Sequence, residues 1–194
     1  MSYLEEPLAG FLDRVASDEP APGGGAVAAV AVSLAAGLCG MSARLSAGHL
    51  DDADGLAERA DRLRRRAAPL AQEDAEAYGH VLAAYRLPED GDPEARSERI
   101  RTALAGAAEV PLKIAEAGAE VAEVAARLAR EGNPNLRGDA LAAALLAEAG
   151  TRSAAALVRI NTAAGGVSGD RPEHAAELAS KASEAALRAV EDNP

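Results

Sequence analysis

The run Pro20-Ala21-Pro22-Gly23-Gly24-Gly25, followed by AVAAVAVSLAAGLCGM at residues 26–41, decides how the rest of the chain is read. Two prolines and three glycines in six residues break helix and make a loop. The sixteen residues after it carry no charge. A bilayer span needs about 20 apolar residues, and this one is built of Ala, Gly, Ser and Val rather than Leu and Ile. The stretch therefore reads as a central helix buried on all sides. Composition agrees: 51 of 194 residues are alanine, with one Phe, three Tyr and no Trp. That balance favours helix and opposes a large sheet, and small side chains let helices approach closely.

Outward from that helix, the chain divides at proline and glycine. Leu4, Leu8, Phe11, Leu12 and Val15 recur at helical spacing, predicting a first helix over Tyr3 to Ser17 with Pro7 in its first turns. Asp52 to Arg86 is a long helical stretch, bent at Pro69, with Arg62, Arg64, Arg65 and Arg66 on its outer side. Glu89-Asp90-Gly91 is a turn, and Asp92 caps a helix that opens on Pro93. That helix is interrupted or restarted at Pro111 and continues to Arg130. Gly132-Asn133-Pro134-Asn135 is a second loop, and a helix from Arg137 or Gly138 reaches about Ala164. The run Gly165-Gly166-Val167-Ser168-Gly169-Asp170 stops it, and a last helix covers about Pro172 to Val190. No repeat or low-complexity linker divides the chain, so the expectation is one all-α domain over residues 1–194, a multihelical array with long antiparallel helices.

The charge balance, 20 Lys and Arg against 31 Asp and Glu, gives a net charge of −11. That argues against a nucleic-acid binder, whose phosphate contacts need a basic face. The acidic start MSYLEEPL has neither the basic residues nor the apolar core of a signal peptide, so the expected location is cytoplasmic, with no membrane partner. One cysteine, Cys39, excludes a disulfide scaffold, and its apolar setting marks it as a small core residue.

Several polar residues stand out against this apolar background. Gly23, Gly24 and Gly25 precede a helix start, where free N–H groups and the positive dipole end could meet a carboxylate or carbonyl; the plainer reading is a tight turn feeding a closely packed helix. Leu56, Leu63, Ala67, Leu70, Ala77 and Val81 form an apolar stripe, and Asp74 falls on it. A carboxyl facing the interior resists ionisation, which suits acid or base work, or else it is a structural acceptor of hydrogen bonds. Asn133, Asn135, Asp139 and Asn161 form a third set. Asp139 opens a helix, and Asn161 sits late in an apolar one, where a buried amide needs partners. His49, His80 and His174 are far apart and show no metal-ligand spacing, so no metal is expected.

In this order, the segments resemble the cyclodeaminase/cyclohydrolase family. The resemblance rests on Phe11-Leu12 to Ala16-Ser17, Pro22-Gly23-Gly24-Gly25-Ala26, Met41 to Leu45, Asp74-Ala75-Glu76-Ala77-Tyr78 and Leu87-Pro88. It continues through Val110-Pro111-Leu112, Gly132-Asn133-Pro134-Asn135, Gly138-Asp139 and Arg159-Ile160-Asn161. It implies a multihelical fold with a helical-hairpin dimerisation element, a homodimer, and a tetrahydrofolate derivative as substrate with no tightly bound cofactor. It also implies an essential aspartate at Asp74, with Gly23, Gly24 and Gly25 shaping the pocket floor and Asn133, Asp139 and Asn161 binding the substrate or holding the site together. His49, at a place where the family usually has lysines, is the candidate that partly substitutes for their charge at the substrate. The implied reaction is loss of ammonia from 5-formiminotetrahydrofolate or addition of water to the methenyl form. The chain departs from the family pattern where lysines usually follow Leu45, having Ser46-Ala47-Gly48-His49, and at Leu157, Gly138 and Glu89. Those departures leave open an alternative, a catalytically silent member that binds folate, another ligand or a protein partner.

Overall fold

A computed structural model describes residues 2–88, 92–167 and 169–191, and among them every regular element is helical. The turn expected at Glu89-Asp90-Gly91, and Ser168 of the terminating run, lie outside the described residues. Eight α-helices follow in order: α1 Leu8–Val15, α2 Gly24–Arg44, α3 Ala53–Ala67, α4 Leu70–Tyr85, α5 Pro93–Ala107, α6 Glu109–Glu131, α7 Arg137–Gly165 and α8 Arg171–Glu191. A short 3-10 turn, Pro134–Leu136, leads into α7.

Local chemistry sets most boundaries. The first helix starts at Leu8, later than the periodicity predicts, because Pro7 stands at its N-cap and restricts the residue before it. Pro69 lacks the N–H that would carry α3 onward, so the long stretch splits into α3 and α4. Asp92 caps α5 as expected, accepting from the N–H of Glu94 at 2.9 Å and of Ala95 at 3.2 Å. The next break falls at Ala108 rather than Pro111, which is tolerated in the first turn of α6. Gly166 ends α7 with φ of 57°, a left-handed conformation that favours glycine.

The core forms around α6 and α7, which pair along their length, with α8 against both. On the other side α2 lies between α3 and α7, with α6 behind it, while α4 and α5 form an antiparallel hairpin at the N-terminal end of α2. Glycine makes the closest approaches. A β-carbon on Gly150 would come within 2.7 Å of Val32 Cγ2 and 3.2 Å of the Ala28 carbonyl. Cys39 is buried in this core and its thiol is pushed up to about 12 by desolvation, so it behaves as an inert apolar residue.

One expectation is overturned. The helix that holds the charge-free run is 21 residues long, ending on Arg44, and it is not buried on all sides. Ala26, Ala29, Val32, Ala35, Ala36 and Cys39 are covered, but Val27, Leu34, Met41 and Leu45 are exposed, Leu34 by 59%. Two stretches, Gly24–Arg44 and Pro134–Gly165, are long and apolar enough to cross a membrane by length and composition. The two faces of α2 differ in what they tolerate. Ala29→Leu is expected to lower the urea midpoint, costing about 1–3 kcal/mol through overpacking. Gly37→Leu should leave the midpoint nearly unchanged, because Gly37 is half-buried and a β-carbon there has only Arg64 Cδ in reach, at 3.9 Å.

Candidate active site

The start of α2 sets the site. Gly23 is the extended N-cap residue, and the first intrahelical bond runs from the Val27 N–H to the Gly23 carbonyl at 3.1 Å. The N–H groups of Gly24, Gly25 and Ala26 therefore have no partner within the helix. Ala26 donates its own to the carboxylate of Asp74 on α4. Gly25 is what makes this approach possible: a β-carbon there would overlap the Asp74 carboxylate. The glycine run thus has a steric cause, close passage of a carboxylate, in addition to turning the chain. The Ala21–Pro22 peptide within the same loop is cis.

Asp74 is partly buried, and its pKa is raised from the ordinary aspartate value. Desolvation causes the rise, and the Ala26 hydrogen bond opposes it. The side chain opens onto a cleft of about 320 Å³ between the glycine loop, α4 and α7. Tyr78, one turn beyond Asp74 on α4, and the apolar Leu157 and Ile160 on α7 form its walls. Asn161 closes one end, its amide nitrogen donating to the Ala107 carbonyl at 2.9 Å, which leaves the amide oxygen as an acceptor at the cleft. Among the described residues lining this cleft, none is Lys or Arg. The site combines a carboxyl whose ionisation burial disfavours, a fixed amide, one aromatic ring and apolar walls. Those groups suit a flat polar heterocycle and a proton transfer at its edge.

The structure thus brings together Gly23, Gly24, Gly25, Asp74 and Asn161, and does not bring His49, Asn133 or Asp139 into the cleft. His49 is exposed beyond the far end of α2. Asn133 ties the loop before α7 to that same end: its amide donates to the Leu45 carbonyl at 3.0 Å, and its N–H to Ser46 Oγ at 2.9 Å. Its side-chain oxygen accepts from the Asn135 N–H at 3.0 Å, so its hydrogen bonds within the chain are structural. Asp139 stands in the first turn of α7. Tyr78 and Ile160 were not singled out as site residues from the sequence. The spacing Asp74 to Tyr78, four residues along one helix face, is the signal that finds the first. A larger groove of about 610 Å³ between α4 and α5 is lined by five alanines together with His80, Glu98, Arg99 and Thr102, and holds none of the candidates. Among the described residues, no three His, Cys, Asp or Glu side chains converge as metal ligands.

Comparison with known proteins finds relatives of one kind. A family model described as formiminotransferase-cyclodeaminase matches residues 7–168. The methenyltetrahydrofolate cyclohydrolase of Methylorubrum extorquens is 38% identical over 164 residues, covering 80% of this chain and 79% of that protein. The formimidoyltransferase-cyclodeaminase of Mus musculus is 33% identical over 178 residues, 82% of this chain but 31% of that longer protein. Among solved structures, formiminotetrahydrofolate cyclodeaminase from Thermotoga maritima superposes with a TM-score of 0.85 at 28% identity, over 97% of this chain and 96% of that one.

Proposed function

This chain belongs to the formiminotransferase-cyclodeaminase family, and on that premise we propose that it is a folate one-carbon enzyme with Asp74 as its acid and base. The observation that carries this reading is the Asp74 carboxyl, desolvated and held by the Ala26 N–H at the rim of a cleft sized for a heterocycle.

The chemistry follows from that placement. In the methenyl form the one-carbon unit is a cationic carbon bridging two folate nitrogens. Asp74 as carboxylate takes a proton from water as its oxygen bonds to that carbon. It then gives that proton to the nitrogen that leaves, and the hydroxyl proton on the tetrahedral carbon is released to solvent as the bridge opens to the formyl form. For the formimino substrate the same carboxyl serves the opposite traffic. The second folate nitrogen adds to the formimino carbon and gives its proton to the Asp74 carboxylate, which passes it to the exocyclic nitrogen that departs as ammonia. Both paths pass through one tetrahedral carbon, so one acid/base serves either leaving group. Asn161, with Gly23, Gly24 and Gly25, holds the ring edge against the apolar wall of Leu157 and Ile160.

The same reading includes a homodimer, a cytoplasmic location and the absence of a tightly bound cofactor. A buried unpaired thiol at Cys39 suits a reducing compartment. Purified protein, incubated separately with methenyl- and formiminotetrahydrofolate and followed by absorbance, is expected to turn over at least one. Turnover of neither would overturn the enzyme assignment in favour of a silent, ligand-binding member.

A further inference from the structure

We propose that the exposed ridge of α4 beyond Asp74 is the track for the tail of the substrate. Tyr78 carries its benzoyl ring, Leu82 and Tyr85 line the way, and Arg86 meets its glutamate carboxylate. The subsite rests on the folate reading above, and it assigns where that molecule lies outside the cleft.

Three observations lead to it. The first is where the aromatic side chains sit. The chain has four, three Tyr and one Phe. Tyr3 and Phe11 are buried and pack edge to face, with ring centres 5.7 Å apart. The other two, Tyr78 and Tyr85, stand seven residues apart on the face of α4 that bears Asp74. Both are exposed, by 43% and 50%, and neither hydroxyl has a hydrogen-bond partner among the described residues. Tyr78 lines the cleft itself. A ring left in water at the rim of a cleft offers an aryl group a surface to stack on. The second is charge. A folate ends in carboxylates, and among the described residues lining the cleft none is Lys or Arg. Asp74, Tyr78, Leu82 and Arg86 follow one another at intervals of four, so they form one ridge along the helix. Arg86, at its end, is exposed and has no ion pair among the described residues. Ala75 and Gly79 flank the ridge, and a β-carbon on Gly79 would meet nothing within 4 Å, so the surface is open. Glu76 lies off it, its carboxylate accepting from the Gln72 amide at 3.1 Å. In a chain of net charge −11, an arginine so placed is a local seat for an anion.

The third is length. At a rise of about 1.5 Å per residue, Tyr78 lies about 6 Å from Asp74 along the helix, Leu82 about 12 Å and Arg86 about 18 Å. A long side chain on a helix leans over the turn before it, which sets the Arg86 guanidinium above Leu82. From the reacting carbon, a benzoyl ring, an amide and the carbon that bears the carboxylate extend about 10 Å. With the reacting carbon at Asp74, the benzoyl ring therefore falls on Tyr78 and the carboxylate within reach of Arg86. The fused heterocycle then points the other way, toward Asn161 and the glycine loop, where the cleft has its apolar wall.

Calorimetric titration tests the track without reference to turnover. The probes are 5-formyltetrahydrofolate and an analogue that ends in a neutral benzamide in place of the glutamate. Arg86→Gln is expected to weaken the folate about fivefold and to leave the benzamide analogue as it was, since only the first presents a carboxylate to the arginine. Tyr78→Ala should weaken both about five- to tenfold, because both keep the benzoyl ring, and Tyr78→Phe should recover the loss. Equal weakening of the two probes by Arg86→Gln would assign the arginine to the fold or to a contact with a second copy, and overturns its place at the glutamate. Unchanged affinity in Tyr78→Ala, or a loss that Tyr78→Phe does not recover, overturns the ring's platform. The expected pattern in a wild type that turns over neither folate substrate upholds the track and overturns the catalytic reading alone. Turnover in wild type with both probes unaffected by either variant overturns the track alone, and no binding of 5-formyltetrahydrofolate by wild type overturns both.

Discussion

Asp74→Asn is expected to lower turnover of the folate substrate by about a hundredfold or more, without lowering the melting temperature. Asparagine preserves the shape of the side chain and an oxygen for the Ala26 N–H, and it removes the titratable group that gives and takes the proton. The stability half of the prediction follows from the direction of the pKa shift. The folded protein holds the Asp74 proton more tightly than the unfolded chain does, because burial opposes ionisation. Stability is therefore lost as pH rises from the ordinary aspartate range through the raised value, and the loss is complete above it. At neutral pH the wild type bears that cost and the asparagine variant does not. A structural aspartate would give the opposite pair of results, a lowered melting temperature with turnover intact. Steady-state kinetics and thermal melts on the same preparations read both.

Gly25→Ala should have the second largest effect. The added methyl group would occupy the space of the Asp74 carboxylate, and the backbone of α2 is fixed there by packing against α4 and α7. The smaller movement is rotation of Asp74 away from the Ala26 N–H, which takes the carboxyl out of its position in the cleft. Turnover should fall by at least about tenfold, since misplacement of an acid/base by an ångström costs one to two orders of magnitude. Stability should fall by about 1–3 kcal/mol. Gly24→Ala is the internal comparison, because a β-carbon there has only Leu157 Cδ1 nearby, at 4.0 Å. Equal losses at the two glycines would mean that the loop's flexibility matters and the carboxylate's approach does not.

Much of this arrangement was legible in the residues. Proline and glycine marked every break between helices to within a few residues, because a missing N–H or a left-handed turn acts locally. Asp74 was found by its place on the apolar stripe from Leu56 to Val81, which the structure buries at Leu56, Leu63, Ala67, Leu70 and Val81. What escaped were facts about distance along the chain. An uncharged helix has the same sequence whether its own fold or another surface covers it, so the exposure of Leu34 was invisible. Gly-Asn-Pro-Asn announces a loop, but not that Asn133 ties to Leu45 and Ser46, almost ninety residues earlier in the chain. Nor does a triple glycine say which of its members lies against a carboxylate. Those contacts depend on packing between helices, for which small residues give permission but no address.

The central claim is that a desolvated Asp74 gives and takes the proton in a folate one-carbon reaction, and the dependence of kcat on pH tests it most directly. For wild type, the acid limb should be displaced upward from the usual aspartate range near 3.9, in the direction that burial moves Asp74. In Asp74→Asn that limb should vanish from whatever turnover remains. A limb at the ordinary aspartate position in wild type, or one that persists unchanged in Asp74→Asn, would contradict the account.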